Sequence, residues 1–266
     1  MYETHYHRAT SVEDAAKNMN AAEDGKFLAG GMTLIPTMKQ RLASPSNLID
    51  LRHIPGLKGI TITGRTVRIG AVTTHSDVST HAELAKLCPA ITFLAGHIGD
   101  PHVRNMGTIG GSVANNDPAA DYPTALLALD ATVVTSQRSL PASEFFVGLF
   151  ETALEPDEIV TAIEFTAPDK AAYKKFPNPA SLYAVAGVFV AKSGNDVRVA
   201  VTGAGENGVF RADELEAALT KNFNAAALDD VTVSADGLMS DMHASADYRA
   251  NLVKVMAKRA VAEIAG

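Results

Sequence analysis

Two paired glycines, each beside a hydroxyl residue, constrain this chain more than anything else in it: Ala29-Gly30-Gly31-Met32-Thr33 and Thr108-Ile109-Gly110-Gly111-Ser112. Glycine takes left-handed backbone freely and lets the main chain approach a ligand with no Cβ in the way. Successive exposed amides on such a turn form a concave nest for phosphate oxygens. Two such segments suggest a diphosphate held from two sides. A single Gly-Gly pair is more often a plain turn, so the wording of both segments, in this order, carries the weight.

Periodicity places both segments. Ser11 caps a helix running to about Asn20, with Asp14 near the capping-box position. Residues 26–29 read as a short strand leading into the first glycine segment, residues 34–42 as helix and residues 47–51 as strand. This is a β-α-β opening with a ligand loop after a strand, without the G-x-G-x-x-G spacing of a Rossmann fingerprint. Alternation over residues 59–72 predicts a hairpin turned at Gly64-Arg65. Helices are expected at 74–79, 89–97 and 123–129, with a short one at 144–150; strands are expected at 131–136 and 158–165. Ala167-Pro168-Asp169-Lys170 reads as a boundary. Beyond it, strands at 184–191 and 197–204 joined by Ser193-Gly194-Asn195-Asp196 give a hairpin signal. Residues 212–219 and 248–265 are amphipathic helices, the second with Leu252, Val255, Met256 and Val261 on one stripe.

Composition narrows the function classes. The 266 residues suffice for two compact domains, and 47% of them are apolar, which excludes a disordered chain. A net charge of −7, with no basic cluster larger than a pair such as Lys174-Lys175, argues against nucleic-acid binding. No apolar run is long enough for a membrane span. Met1-Tyr2-Glu3-Thr4-His5 has no signal-like apolar region, so a cytoplasmic location is expected. Cys88 is the only cysteine, which rules out an internal disulfide and a self-contained iron–sulfur cluster. Between Leu87 and Pro89 it reads as a buried core thiol.

Three patterns invite other readings. Gly203-Ala204-Gly205-Glu206-Asn207-Gly208 fits G-x-G-x-x-G, but the next helix begins near Ala212, after the motif, and the preceding strand belongs to a hairpin. A turn is the better reading. His97, Asp100 and His102 lie close in sequence, but Gly99 and Pro101 bend the loop between them. They are expected to shape the floor of a pocket and not to hold a metal. Asp117 and Asp121 flank Pro118 and would make an unusual acid/base pair. No G-x-S-x-G elbow or Cys-His pair points to nucleophilic hydrolysis, and no catalytic residue or metal ligand is assigned.

The two glycine segments together resemble the FAD-binding medium subunit of the molybdenum hydroxylases, the carbon monoxide dehydrogenase and xanthine dehydrogenase family. That family carries an A-G-G-H-S-L-L-P type first loop and an R-N-x-G-T-I-G-G-N second loop followed by D-P and D. Arg104-Asn105-Met106-Gly107-Thr108-Ile109-Gly110-Gly111 fits the second, with Asp117-Pro118 and Asp121 after it. Met32 and Thr33 stand where the family often has His and Ser, and Ser112 where it often has Asn. Later, Tyr173-Lys174-Lys175-Phe176 and Leu182-Tyr183-Ala184 resemble the family's K-F-R-R and D-Y/W-A stretches, with Pro177-Asn178-Pro179 replacing the basic pair.

The resemblance implies an α+β fold: a two-subdomain FAD-binding domain of the vanillyl-alcohol-oxidase (PCMH) type, then a C-terminal domain with a three-stranded antiparallel sheet and helices. The implied domains are 1–168, with subdomains of about 1–55 and 56–168, and 169–266. Noncovalent FAD is expected at Ala29, Gly30, Gly31, Met32 and Thr33 and at Thr108, Ile109, Gly110, Gly111 and Ser112. Asp121 would bond ribityl or ring-side polar groups. Tyr183 would border the isoalloxazine or only pack between domains. The implied function is electron transfer from [2Fe–2S] clusters through FAD to an external acceptor, a quinone or NAD. The molybdenum cofactor and the clusters would sit on a large molybdopterin subunit and a small iron–sulfur subunit, in a dimer of heterotrimers. A stand-alone flavin oxidoreductase, and an assembly or nucleotide-sensing module that has lost its flavin, are the alternatives.

Overall fold

The computed structural model describes residues 1–265. Its first unit is a small parallel sheet. Strand β1 (His5–Arg8) leads into helix α1 (Val12–Ala21), capped by Ser11, whose Oγ accepts the Asp14 N–H. Strand β2 (Gly25–Leu28), helix α2 (Leu34–Lys39) and strand β3 (Asn47–Asp50) follow. The strand order is β1-β3-β2, all parallel, so β3 is central and buries Leu48, Ile49 and Asp50. The β2-α2-β3 crossover puts the first glycine segment at the carboxyl end of a parallel strand, where open α/β sheets tend to bind ligands.

The second unit is an antiparallel sheet with helices on one face. Strands β4 (Ile60–Thr63) and β5 (Thr66–Gly70) form the expected hairpin. Six helices then run in sequence: α3 (His75–Thr80), α4 (Ala82–Leu87), α5 (Pro89–Gly96), α6 (Pro101–Met106), α7 (Ile109–Asn115) and α8 (Tyr122–Ala128). Strands β6 (Thr132–Thr135) and β7 (Ser139–Pro141), helix α9 (Ala142–Phe145), a small hairpin of β8 (Phe146–Gly148) and β9 (Glu151–Thr152), and strand β10 (Val160–Thr166) complete it. The sheet order is β4-β5-β10-β6-β7. Ile69, Ile91, Leu94, Ile109, Leu126 and Phe145 are buried in its core.

The third unit is a second antiparallel sheet, of strands β11 (Lys170–Pro177), β12 (Ala184–Ser193), β13 (Asp196–Thr202) and β14 (Phe210–Arg211) in that order, with helices α10 (Asp213–Lys221) and α11 (Ala246–Ile264). It therefore has four strands and not the expected three, because Phe210 and Arg211 add a short edge strand to β13. Strand β12 is buried on both faces. Val188 and Val190 pack with Val253, Met256 and Val261 of α11, whereas Phe189 and Ala191 join the core of the second unit. That two-sided burial gives β12 a continuous apolar run instead of an alternating one.

Three further expectations are revised. Residues 144–150 are not one helix, since the chain leaves α9 at Phe145 and turns into β8. The stretch after Gly99 is not only a bend: Asp100 caps α6 through the Val103 N–H, with Pro101 at its first position. The second glycine segment is not a loop, because Thr108 caps α7 and the glycines lie in its first turn.

Candidate functional site

The two glycine segments face each other across one cleft of about 690 Å³, within the range that holds a cofactor. Ala29, Gly30, Gly31, Met32 and Thr33 line one side. Thr108, Gly110, Gly111 and Ser112 line the other. Asp121 and Tyr183 complete the expected set there, and Ile109 does not reach it. Its side chain is fully buried and its N–H donates to the Thr73 carbonyl at 3.1 Å.

The two segments use glycine differently. In the first, Gly31 takes left-handed backbone at φ +71. Among the described residues, the N–H groups of Gly30, Gly31, Met32 and Thr33 find no protein acceptor, while the Gly31 carbonyl accepts from Ile35 and starts the α2 turn. Four successive free amides at a helix entry suit phosphate oxygens. In the second, the glycines have ordinary negative φ and serve close packing. A Cβ on Gly110 would meet the Ala71 Cβ at 2.5 Å.

The amides of the second segment are already spent. Gly110 donates to the Ala71 carbonyl at 2.8 Å, Gly111 to the Thr108 Oγ1 at 3.1 Å and Ser112 to the Thr108 carbonyl at 3.0 Å. The expectation of two amide nests reduces to one, with a rigid helix entry opposite it.

Residues that sequence reasoning did not single out build the rest. His75, at the start of α3, lines the cleft beneath Gly107, whose carbonyl accepts the His75 N–H at 3.0 Å. Burial, helped by the nearby Arg104 charge, pushes its imidazole down to about 4, so it is neutral at pH 7. Phe150 closes one rim from the β8–β9 hairpin with left-handed backbone at φ +54. Asn116, itself left-handed at the end of α7, donates through Nδ2 to the Gly148 and Glu151 carbonyls at 2.8 Å each and ties that hairpin to α7.

The opposite rim comes from the third unit. Residues 178–183 form a loop closed by Asn178 N–H to the Tyr183 carbonyl at 2.7 Å and Leu182 N–H to the Asn178 carbonyl at 2.9 Å. It sets Leu182 and Tyr183 over the cleft. Burial, then the charges of Asp117 and Asp121, push the Tyr183 phenol up.

The polar floor is acidic. Asp117 accepts the Ala119 N–H at 2.8 Å, and burial pushes its carboxyl up. Asp121 lies 5% exposed, bonded by the Tyr173 hydroxyl at 2.5 Å and by the Lys175 ammonium at 3.0 Å. It is therefore not half of an acid/base pair with Asp117, because its partners stand on β11. Of His97, Asp100 and His102, only Asp100 lines the cleft; His97 stacks on Phe93 and His102 is exposed. The Gly203–Gly208 stretch is a turn. Its Gly203 N–H donates to the Pro118 carbonyl at 2.9 Å, docking the third unit beside the cleft floor.

Residues 2–168 match the FAD binding domain in molybdopterin dehydrogenase, and residues 171–264 match the carbon monoxide dehydrogenase flavoprotein C-terminal domain. The nicotine 6-hydroxylase medium subunit of Paenarthrobacter nicotinovorans is 35% identical over 97% of this chain and 96% of its own. The glyceraldehyde dehydrogenase medium chain of Sulfolobus acidocaldarius is 36% identical over 98% of each. Among solved structures, reconstituted CO dehydrogenase from Oligotropha carboxidovorans superposes with a TM-score of 0.89 at 35% identity, over 98% of this chain and 96% of that one.

Proposed function

Because the chain belongs to the family of FAD-binding medium subunits of the molybdenum hydroxylases, it is an FAD-binding electron-transfer subunit of an oxidoreductase complex, and we propose that the cleft between its two glycine segments holds the FAD. When bound, FAD supplies the redox chemistry, receiving electrons from the [2Fe–2S] clusters of a partner subunit and passing them to an external acceptor. The observation that carries the assignment is the row of free amides at Gly30, Gly31, Met32 and Thr33.

The chain's own residues bind and orient. Those four amides take the diphosphate; the charged residues lining the cleft are Asp100, Asp117, Asp121, Glu158 and one lysine, Lys26. The Ser112 hydroxyl and the α7 entry face them from the other wall. Asp121 accepts from the polyol hydroxyls, since a carboxylate is a strong acceptor for them. Tyr183 and Phe150 border the ring system and keep water from it. No side chain here moves a proton in a chemical step.

The chain works with a large and a small subunit, as the medium chains of its family do. In finer terms, we infer a dimer of heterotrimers in the cytoplasm, with a quinone or NAD as acceptor. No helix among the described residues is long and apolar enough to cross a membrane. We also assign the domain division as 1–168, with subdomains of about 1–55 and 56–168, and 169–266.

The test is an absorption spectrum of the purified chain before and after heat denaturation. Flavin bands that pass into the supernatant support noncovalent FAD. A colourless chain that takes up no added FAD overturns the assignment. Reduction of the bound flavin by the holoenzyme's substrate only when the partner subunits are present separates this role from a stand-alone oxidoreductase.

A further inference from the structure

Asp121 is buried in the cleft wall, and nothing on its own helix fixes it. It precedes α8, yet its side chain makes no capping bond there. Its two partners stand on β11, in the third unit. The Tyr173 hydroxyl donates to Oδ1 at 2.5 Å. The Lys175 ammonium straddles the carboxylate, 3.0 Å from Oδ1 and 3.2 Å from Oδ2. Lys175 also donates to the His97 carbonyl at 2.7 Å, so its head is held from two sides, and its side chain is only 7% exposed.

Tyr173 is itself set in place. It is 1% exposed, and its ring lies 6.2 Å from that of Phe189 on the neighbouring strand. Gly187 leaves the room for its hydroxyl: a Cβ there would fall 2.5 Å from the Oη. A carboxylate has about four acceptor positions. The Tyr173 hydroxyl bonds Oδ1 and the Lys175 ammonium bonds Oδ2, so each oxygen keeps an acceptor position for a ligand.

We propose that Tyr173 and Lys175 are positioning residues for the cofactor: from the C-terminal half of the chain they orient the Asp121 carboxylate and compensate its charge, so that the cleft wall offers a fixed acceptor without a net negative charge. The inference rests on the cleft being the FAD site. A buried carboxylate without a cation either takes up a proton or sets an unbalanced charge beside the ligand. In both cases the acceptor that the polyol meets has changed.

The experiment titrates FAD into the deflavinated full chain and measures the reduction potential of the bound flavin. The variants are Tyr173→Phe, Lys175→Met, Asp121→Asn and the double variant Asp121→Asn/Lys175→Met, each checked for fold by circular dichroism. Tyr173→Phe keeps the ring and is expected to weaken FAD binding roughly tenfold, the loss of about one hydrogen bond to a charged group. Lys175→Met is expected to weaken binding at least as much and to move the potential negative, because an uncompensated carboxylate opposes added electrons. In the Asp121→Asn background the lysine substitution is expected to lose most of its effect on the potential.

A purely structural lysine would leave the potential unmoved, or move it equally in both backgrounds, and either result overturns the proposal. If Lys175→Met does not fold, Tyr173→Phe decides alone: wild-type affinity overturns the positioning role. Wild-type chain that takes up no FAD overturns the cofactor reading and this inference with it. Wild-type chain that binds FAD, with variants indistinguishable from it, overturns this inference only.

Discussion

Gly30 lies so close to the peptide after Met106 that a Cβ on it would fall 2.2 Å from the Met106 carbonyl oxygen. The chain that carries the free amides and the chain that leads into the opposite wall are thus in backbone contact. Two backbones cannot part for a methyl group without changing the width of the cleft between them. Gly30→Ala is therefore expected to lower stability by about 1–3 kcal/mol and to weaken FAD retention at least tenfold. Urea unfolding and a flavin titration check both, and wild-type values for the two would show that this contact does not set the cleft.

Acid stability should depend on Asp50 at the end of β3. Burial raises its carboxyl, but the Arg52 guanidinium, at 2.6 Å, and the Tyr6 hydroxyl, also at 2.6 Å, outweigh burial and hold it at about 2. The folded value lies below the ordinary 3.8, so the contribution is present above pH 4 and is lost as the pH falls through about 2. It amounts to about 2 kcal/mol. Asp50→Asn should lose stability at neutral pH and flatten the acid limb of the unfolding curve over that window.

Cys88 should be inert in the native chain. It is 2% exposed, and burial pushes its thiol up to about 11. Thiolate is the reactive form, so alkylation at pH 8 is expected to be negligible in buffer and complete in denaturant. Rapid labelling of folded protein would contradict the packing of α4 on α5.

The Asn116 clamp is separable from its backbone. Asn116→Gly retains freedom for φ 44 but loses both hydrogen bonds to the β8–β9 hairpin. Two part-buried hydrogen bonds are then lost, with an expected cost of about 1–3 kcal/mol. The Phe150 rim should become the first site of limited proteolysis. Cleavage at an unchanged rate would show that the Phe150 N–H bond to the Asn116 carbonyl holds the hairpin unaided.

The sequence was most legible where a local signal coincides with burial. The β12–β13 hairpin carries both an apolar run and a Gly194-Asn195 turn, and the Ser11 cap bonds as its pattern predicts. Strands β1 and β11 escaped notice because they lie at sheet edges, and His5 and His7 in the one and Lys174 and Lys175 in the other break the apolar alternation. Helix α7 escaped because two glycines in its first turn argue against helix; the close approach of Ala71 explains Gly110, and that of the Thr108 Oγ1 explains Gly111. In the candidate site, both glycine segments and Asp121 were readable as motifs. The bonds that fix Asp121 were not, since Tyr173 stands 52 residues away and no local pattern encodes such a pairing.

The loop of residues 178–183 and strand β11 have a consequence for the order in which the protein is made. Both glycine segments leave the ribosome well before the residues that close the cleft's far rim and hold Asp121. A nascent chain released or stalled near residue 168 would carry the phosphate nest but neither Tyr173, Lys175 nor Tyr183. Since synthesis runs from the amino terminus, the proposed cofactor site is complete only late in synthesis. Truncated products are then expected to be colourless, which would give the cell a simple distinction between finished and unfinished copies.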